Sequence, residues 1–168
     1  MPMPQQQANR GRTLEEIIEA VLEGERLRGV ACVQKIATPW VPMRHQGKVV
    51  GAFPQQSTVD FVGVIRSHPV AFDAKEVVGD RMPWSRVPEH EGRFLHDFAQ
   101  AGGEAFLLVA WWNHGVYMRA PISTWYETWF QAIRGQAKRG QGSVTFAEAQ
   151  RVWQPAGSTT GVPTDFCR

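Results

Sequence analysis

Asp60, Asp73 and Lys75 are the residues of this chain whose types and spacing can do chemistry. They lie in the stretch Ser57 to Glu76, STVDFVGVIRSHPVAFDAKE. It reads as two β-strands, Thr58 to Ile65 and Val70 to Val77, joined across Arg66-Ser67-His68-Pro69, because β-branched and aromatic residues flank a polar turn containing Pro. The two-residue period of a strand places Ala71, Asp73 and Lys75 on one face of the second strand and Val70, Phe72 and Ala74 on the other. If the first strand pairs alongside, Asp60 reaches the same spot. Two carboxylates held close together repel unless one protonates or a cation sits between them. Mg²⁺, a hard ion bound by one or two carboxylates plus water and substrate phosphate, suits that arrangement. Lys75 beside it can orient or polarise an attacking water. An Asp-x-Lys triplet also recurs by chance, and the same residues suit an ordinary hairpin with a solvated face. The residues alone leave both readings open.

The elements around this stretch must hold it in place. Thr13 and Glu16 form a capping box ahead of an apolar run, so a helix starts there and buries Leu14, Ile17, Ile18, Val21 and Leu22 before ending near Gly29. Glu15 falls between the buried positions and can turn toward the strand site, although a solvated helix residue is the commoner case. Val30 to Ile36 alternates as a strand. Trp40 to Phe53 carries Arg44, His45 and Lys48 without an acid and folds as a projecting hairpin around Gln46-Gly47. It suits a nucleic-acid probe, with charge for phosphates and rings for bases, and equally a plain surface hairpin. Gly79 to Val87 reads as a loop and Pro88 to Ala101 as a helix stopped by Gly102-Gly103. Ala105 to Trp112 is nearly continuous apolar, as a central strand covered on both faces must be. Val116 to Arg119 is another strand. Pro121 to Ile133 is a last helix, whose Trp125, Trp129 and Phe130 belong to the core by their spacing.

At 168 residues the chain is long enough for one domain with a proper core. The expected division is a basic arm over 1–12, a core over 13–133 with the projection at 40–53, and a polar, weakly structured segment over 134–168 with a short turn around Phe146 to Val152. No long uncharged apolar run and no basic-then-apolar start are present, so a membrane span and secretion are not expected and the cytoplasm is. Cys32 and Cys167 match no metal spacing and read as free thiols. The five histidines are scattered, and there is no phosphate loop or nucleophile elbow, which disfavours zinc hydrolysis and serine chemistry. Arg10 and Arg12, and again Arg134, Lys138 and Arg139, stand in segments without acids, which suits a polyanion as well as ordinary solvated tails.

The order helix, strand, basic projection, Asp strand, Asp-x-Lys strand, helix, strand resembles the PD-(D/E)xK nuclease fold, an α/β, restriction-endonuclease-like mixed sheet flanked by helices. More closely it resembles the RecU family of Holliday junction resolvases. The matching stretches are Asn9-Arg10-Gly11 with Thr13-Leu14-Glu15, Lys35-Ile36-Ala37-Thr38-Pro39, Ser57-Thr58-Val59-Asp60-Phe61-Val62-Gly63 and Phe72-Asp73-Ala74-Lys75-Glu76. Weaker matches follow at Glu89-His90, Phe106 to Ala110, Val116-Tyr117-Met118 and Pro163-Thr164-Asp165-Phe166. The resemblance implies a homodimeric endonuclease that uses Mg²⁺, with Mn²⁺ as a substitute, to make paired symmetric cuts in four-way DNA. It implies Asp60, Asp73, Glu15 and the Ala74 position at the metal, Lys75 as the catalytic lysine and Thr58 as a nearby hydroxyl. The hairpin at 40–53 takes the place of the family's stalk, and Arg10, Arg12, Arg44, Lys48, Lys138 and Arg139 become candidate DNA contacts. Asp73 stands where family members usually carry Glu, and Glu91 near a Gln that the family uses close to the site. Other branched DNA as substrate, or junction binding without cleavage, are the alternative expectations.

Overall fold

The computed structural model describes residues 13–37, 41–46, 48–52, 58–159, 163 and 165–167. Arg10 and Arg12 lie outside them. The chain opens with helix α1 (Leu14–Leu27), capped by the Thr13/Glu16 box, and its buried stripe includes each of the five apolar positions expected. Strand β1 (Ala31–Lys35) follows, then the hairpin β2 (Val41–His45) and β3 (Lys48–Ala52), which turns at Gln46 in a left-handed conformation (φ 49°). Arg44 pairs with Val49 and His45 with Lys48 in its register.

Next come β4 (Phe61–Ile65) and β5 (His68–Val77). Arg66 and Ser67, at φ 48° and 68°, make the tight connection, the backbone that a two-residue hairpin turn requires. The expected four-residue joint is therefore shorter, and Pro69 sits inside β5 opposite Val64. The expected loop at 79–87 contains β6 (Arg81–Pro83) and a 3-10 turn, Trp84–Arg86. Helix α2 (Glu89–Gln100), β7 (Glu104–Trp111) and β8 (Val116–Pro121) fall where the sequence puts them. The helix expected from Pro121 begins instead as a 3-10 turn, Ile122–Thr124, and α3 proper runs Tyr126–Ile133.

The segment expected to be weakly structured holds β9 (Ser143–Thr145), α4 (Phe146–Val152), β10 (Gln154–Ser158) and a 3-10 turn at Asp165–Cys167. Among the described residues β10 adds the sixth strand to the sheet, ordered β1-β4-β5-β7-β8-β10, in which β5 and β7 run parallel and the other neighbours antiparallel. The result is a mixed sheet with helices on both faces, the restriction-endonuclease-like α/β arrangement.

Two apolar layers flank the sheet. On the α1 side, Leu14, Ile18 and Leu22 pack on Phe61, Phe72, Phe106 and Leu108. On the other side, Leu95 of α2 with Trp84, Trp125 and Trp129 covers Ala71, Leu107 and Val109. Close approach rests on a glycine in two places, between β1 and β4 and between α2 and α3. A Cβ on Gly63 would lie 2.2 Å from the Cys32 carbonyl oxygen, and one on Gly92 would lie 2.3 Å from the Trp129 ring. The second contact lets α2 lie tight on α3. Cys32 is exposed, Cys167 is buried and neither is bonded to the other. Among the described residues no helix is long and apolar enough to cross a membrane.

Candidate active site

Asp60 stands one residue ahead of β4, not within a strand as expected. Its place is nevertheless fixed by the ladder: Phe61 pairs with Phe72, and the same register taken one step further sets Asp60 opposite Asp73. The Asp60 main-chain carbonyl accepts from Ile36 N–H (2.7 Å), and its Oδ2 accepts from Ala74 N–H (2.8 Å). A backbone donor on each side of the residue thus keeps its carboxyl at the end of the β4–β5 pair.

Asp73 and Lys75 point to the α2 side of β5, as their spacing requires. That face is not solvated, and this is the main correction to the hairpin picture. β7 covers one flank, pairing Asp73 with Leu107 and Lys75 with Val109, while α2 lies above. Asp73 is only 1% exposed. The Lys75 ammonium lies 2.5 Å from Asp73 Oδ2, and Asp73 Oδ1 has no hydrogen-bond partner among the described residues. Lys75 donates to Glu91 Oε2 (2.8 Å), a residue in the first turn of α2. Lys75 is therefore held between two carboxylates, with Asp60 beside them.

The electrostatics follow from burial. Desolvation, then the charge of Asp73, pushes Asp60 up to about 7, against the pull of the Ala74 N–H. Desolvation likewise raises Asp73 and Glu91, each opposed by Lys75. For Lys75 burial acts downward, but Asp73 and Glu91 outweigh it and the ammonium is held above its ordinary value. Three carboxyls share one ammonium in a dry place. Such a cluster either keeps protons or draws in a cation.

Other expected residues lie differently. The Glu15 carboxylate is paired with Lys35 (2.7 Å), which also reaches Glu19 (3.6 Å); Glu15 still adds to the upward push on Asp60. Thr58 is exposed, and Ala74 contributes its N–H to Asp60. Lys138 and Arg139 are exposed beyond α3. Two carboxylates went unassigned in the sequence. Glu91 figures there only as a departure from the family's Gln, because nothing local predicts its contact with Lys75. Glu76 Oε1 accepts from Leu14 N–H (2.6 Å), tying the start of α1 to β5; its place directly after Asp-x-Lys is the one signal that could have flagged it.

Whether the cluster fits a metal can be tested on its donors. Among the described residues no three His, Cys, Asp or Glu side chains gather as a metal-binding group. Mg²⁺, however, needs only one or two carboxylates when water and substrate phosphate complete its shell. Asp60 and the unpartnered Oδ1 of Asp73 are hard oxygen donors of that kind. The residues present fit.

The mixed sheet thus brings Asp60, the Asp-x-Lys pair Asp73 and Lys75 and the helix-borne Glu91 into one cluster. The family model of recombination protein U (RecU) matches residues 9–157, and the chain belongs to that family. It is 34% identical over 110 residues to "Holliday junction resolvase RecU" of Streptococcus gordonii, covering 61% of this chain and 55% of that protein. Against the protein of the same name from Geobacillus kaustophilus it is 32% identical over 131 residues, covering 63% and 66%. The Oenococcus oeni protein of that name is 29% identical over 137 residues, covering 77% and 70%. The chain thus spans less than two thirds of the length of the first two relatives. In structure it is similar to Archaeoglobus fulgidus Hjc, a Holliday junction resolvase, with a TM-score of 0.49 and 13% identity over 89% of this chain and 97% of that one.

Proposed function

We propose that this chain is a metal-dependent endonuclease that makes paired cuts in four-way DNA junctions. The observation that carries the reading is the buried, unpartnered Asp73 Oδ1 beside Asp60 and Lys75. Asp60 and Asp73 would hold Mg²⁺ or Mn²⁺, with the Ala74 backbone and Glu15 at the margin of the same site. A bound divalent ion supplies Lewis-acid stabilisation at the scissile phosphate and a more acidic water.

The chain's own groups do the positioning. Lys75, pinned by Asp73 and Glu91, sets an ammonium at one point where it orients the attacking oxygen and screens charge growing on the phosphate. Asp60, anchored to Ala74 N–H, keeps its carboxyl turned toward Asp73. Thr58 offers a hydroxyl two residues ahead. Paired cuts need two such centres, which a C2 homodimer provides.

The names of the relatives support four-way DNA as substrate. The hairpin at 40–53 with Arg44 and Lys48, the arm with Arg10 and Arg12, and the exposed Lys138 and Arg139 supply cations for phosphates. Replacing Lys138 and Arg139 together with Ala lowers the slope of log K against log salt by about 0.9 for each phosphate no longer neutralised, read by junction titration at several salt concentrations. The decisive assay is cleavage of a synthetic four-way junction, beside three-way and linear DNA, with and without Mg²⁺. Wild type cuts the four-way DNA and Asp73→Asn does not. Binding without metal-dependent cutting would assign the chain to junction binding alone.

A further inference from the structure

Glu76 follows Asp-x-Lys directly, and the two-residue period puts it on the α1 side of β5, with Phe72 and Ala74 and away from Asp73 and Lys75. That is the side where Phe72, Phe106 and Leu108 pack under α1. A half-buried carboxylate there needs partners. Its Oε1 accepts from Leu14 N–H (2.6 Å) at the first position of α1, where a helix leaves backbone donors unpaired and favours negative charge. Its main-chain carbonyl accepts from Nη1 of Arg86, the last residue of the 3-10 turn that leads into α2. One residue of β5 is thus tied both to the start of α1 and to the approach to α2. Glu15 stands in the first turn of α1, and Glu91 in the first turn of α2.

The tie to α1 closes a ring of contacts around Asp60. Glu15, next to Leu14, pairs with the Lys35 ammonium (2.7 Å), and Glu19 one turn on reaches the same group (3.6 Å). Lys35 ends β1, and its neighbour Ile36 donates its N–H to the Asp60 carbonyl (2.7 Å). Asp60 Oδ2 then returns to β5 through Ala74 N–H (2.8 Å). The path runs from β5 to α1, to β1, to Asp60 and back to β5, and Glu76 is its first link.

Leu14, Ile18 and Leu22 press α1 on the sheet, but apolar contact has no direction and fixes depth better than sliding along the helix axis. A hydrogen bond fixes both length and direction. The bond at the helix start therefore sets where the first turn of α1 lies along the sheet, and with it where Lys35 and Ile36 hold Asp60.

We infer that Glu76 is a positioning residue for the cleavage centre: by holding the first turn of α1 it sets, through Glu15, Lys35 and Ile36, the place of the Asp60 carboxyl beside Asp73. It needs no contact with metal or phosphate to do so. The role in cleavage rests on the reading of the acidic cluster as a nuclease centre.

Three variants of the whole chain separate reach from charge. Glu76→Ala removes the acceptor, Glu76→Asp keeps the charge but falls short of Leu14, and Glu76→Gln keeps an oxygen at the right length. In chelator and without DNA, amide hydrogen exchange reads the Ile36 N–H. The Ala and Asp variants speed it several-fold beyond any change at the amides of β7, and the Gln variant stays near wild type. With saturating four-way junction and Mg²⁺, the Ala and Asp variants cut about tenfold more slowly and need more Mg²⁺ for half the maximal rate, at unchanged junction affinity, while Gln recovers most of the rate. If wild type cuts no junction, the nuclease reading fails, and exchange alone decides whether Glu76 positions Asp60. Faster exchange at Leu14 with Ile36 unmoved makes Glu76 a plain helix cap and overturns the inference. A wild-type cutting rate in the Ala variant, or a Gln variant as impaired as Ala, overturns it too.

Discussion

The two faces of β5 are buried alike and built oppositely. Toward α1, Phe72 stacks between Phe61 and Phe106 at 4.9 and 4.7 Å, with Phe166 edge-on at 5.6 Å. Toward α2, one residue along, Asp73 brings a carboxylate to the same depth and meets it with Lys75 rather than with apolar surface. One face packs ring on ring. The other leaves a carboxylate oxygen without a partner and three acids to one base. Stability alone explains the first face but not the second, since a buried ion cluster is rarely more stable than apolar packing of the same volume. Local packing given up at one spot is the mark of a site that acts on something.

Exchanging the roles of the two faces produces the largest effects. Asp73→Asn lowers junction cleavage by more than about a hundredfold, since even residues behind a metal ligand cost tenfold to a hundredfold. It does not lower the unfolding midpoint at neutral pH, because the charge it removes is one that burial disfavours. Phe72→Ala does the reverse: it costs about 3–5 kcal/mol through the cavity it leaves, while the protein that stays folded keeps its metal response. Urea unfolding and single-turnover cleavage of both variants check this. Parallel losses of stability and rate in both would show that the faces do not differ in kind.

A finer cut separates the members of the charged face. Lys75→Met leaves Asp73 and Glu91 facing each other without a counter-charge and destabilises by about 1–3 kcal/mol, less than for a fully buried pair because Lys75 and Glu91 keep some exposure. Adding Glu91→Gln returns part of that loss. A double-mutant cycle in urea reads the coupling, and simple additivity would break the assignment of Glu91 to the cluster. Gly92→Ala drives a methyl into the Trp129 ring and should cost about 1–2 kcal/mol. It also slows cleavage, because the helix turn carrying Glu91 must lift.

How far the sequence can be read depends on the reach of each contact. Asp60, Asp73 and Lys75 are legible because a period of two and one tight turn fix their relation. The depth of their face is not, since α2 covers it from a distance that no local pattern encodes; the apolar run Ala105 to Trp112 is the hint that the neighbouring strand lies inside. Glu91 depends on how α2 is set by Gly92 and Trp129, a contact between helices far apart in sequence. The C-terminal elements escape the pattern for another reason. β10 contains Pro155 and Gly157, with an irregular register between them, and an edge strand tolerates both residues where a central one would not. The Thr145/Glu148 capping box ahead of α4 repeats the Thr13/Glu16 pattern and is open to the same argument.

The smallest expected effect is the one that titrates the charged face. Asp60 is raised from its ordinary value to about 7, first by desolvation and then by Asp73. Between its unfolded value, about 4, and about 7 the native state keeps a proton that the unfolded chain has released. Stability therefore falls as pH rises through that window and levels above it. Phe72 and its stacked neighbours have no proton to lose. In chelator, the stability difference between wild type and Asp60→Asn should drift in favour of the variant as pH climbs from about 4 to about 7. Mg²⁺ should reverse part of the drift for wild type only, since a cation that binds the ionised carboxylate competes with the proton. Urea midpoints at closely spaced pH values, with chelator and with Mg²⁺, read both effects. A difference that stays flat with pH, or an equal Mg²⁺ response in the variant, would mean that Asp60 belongs to the packing of the β4–β5 end and not to the ion-binding face.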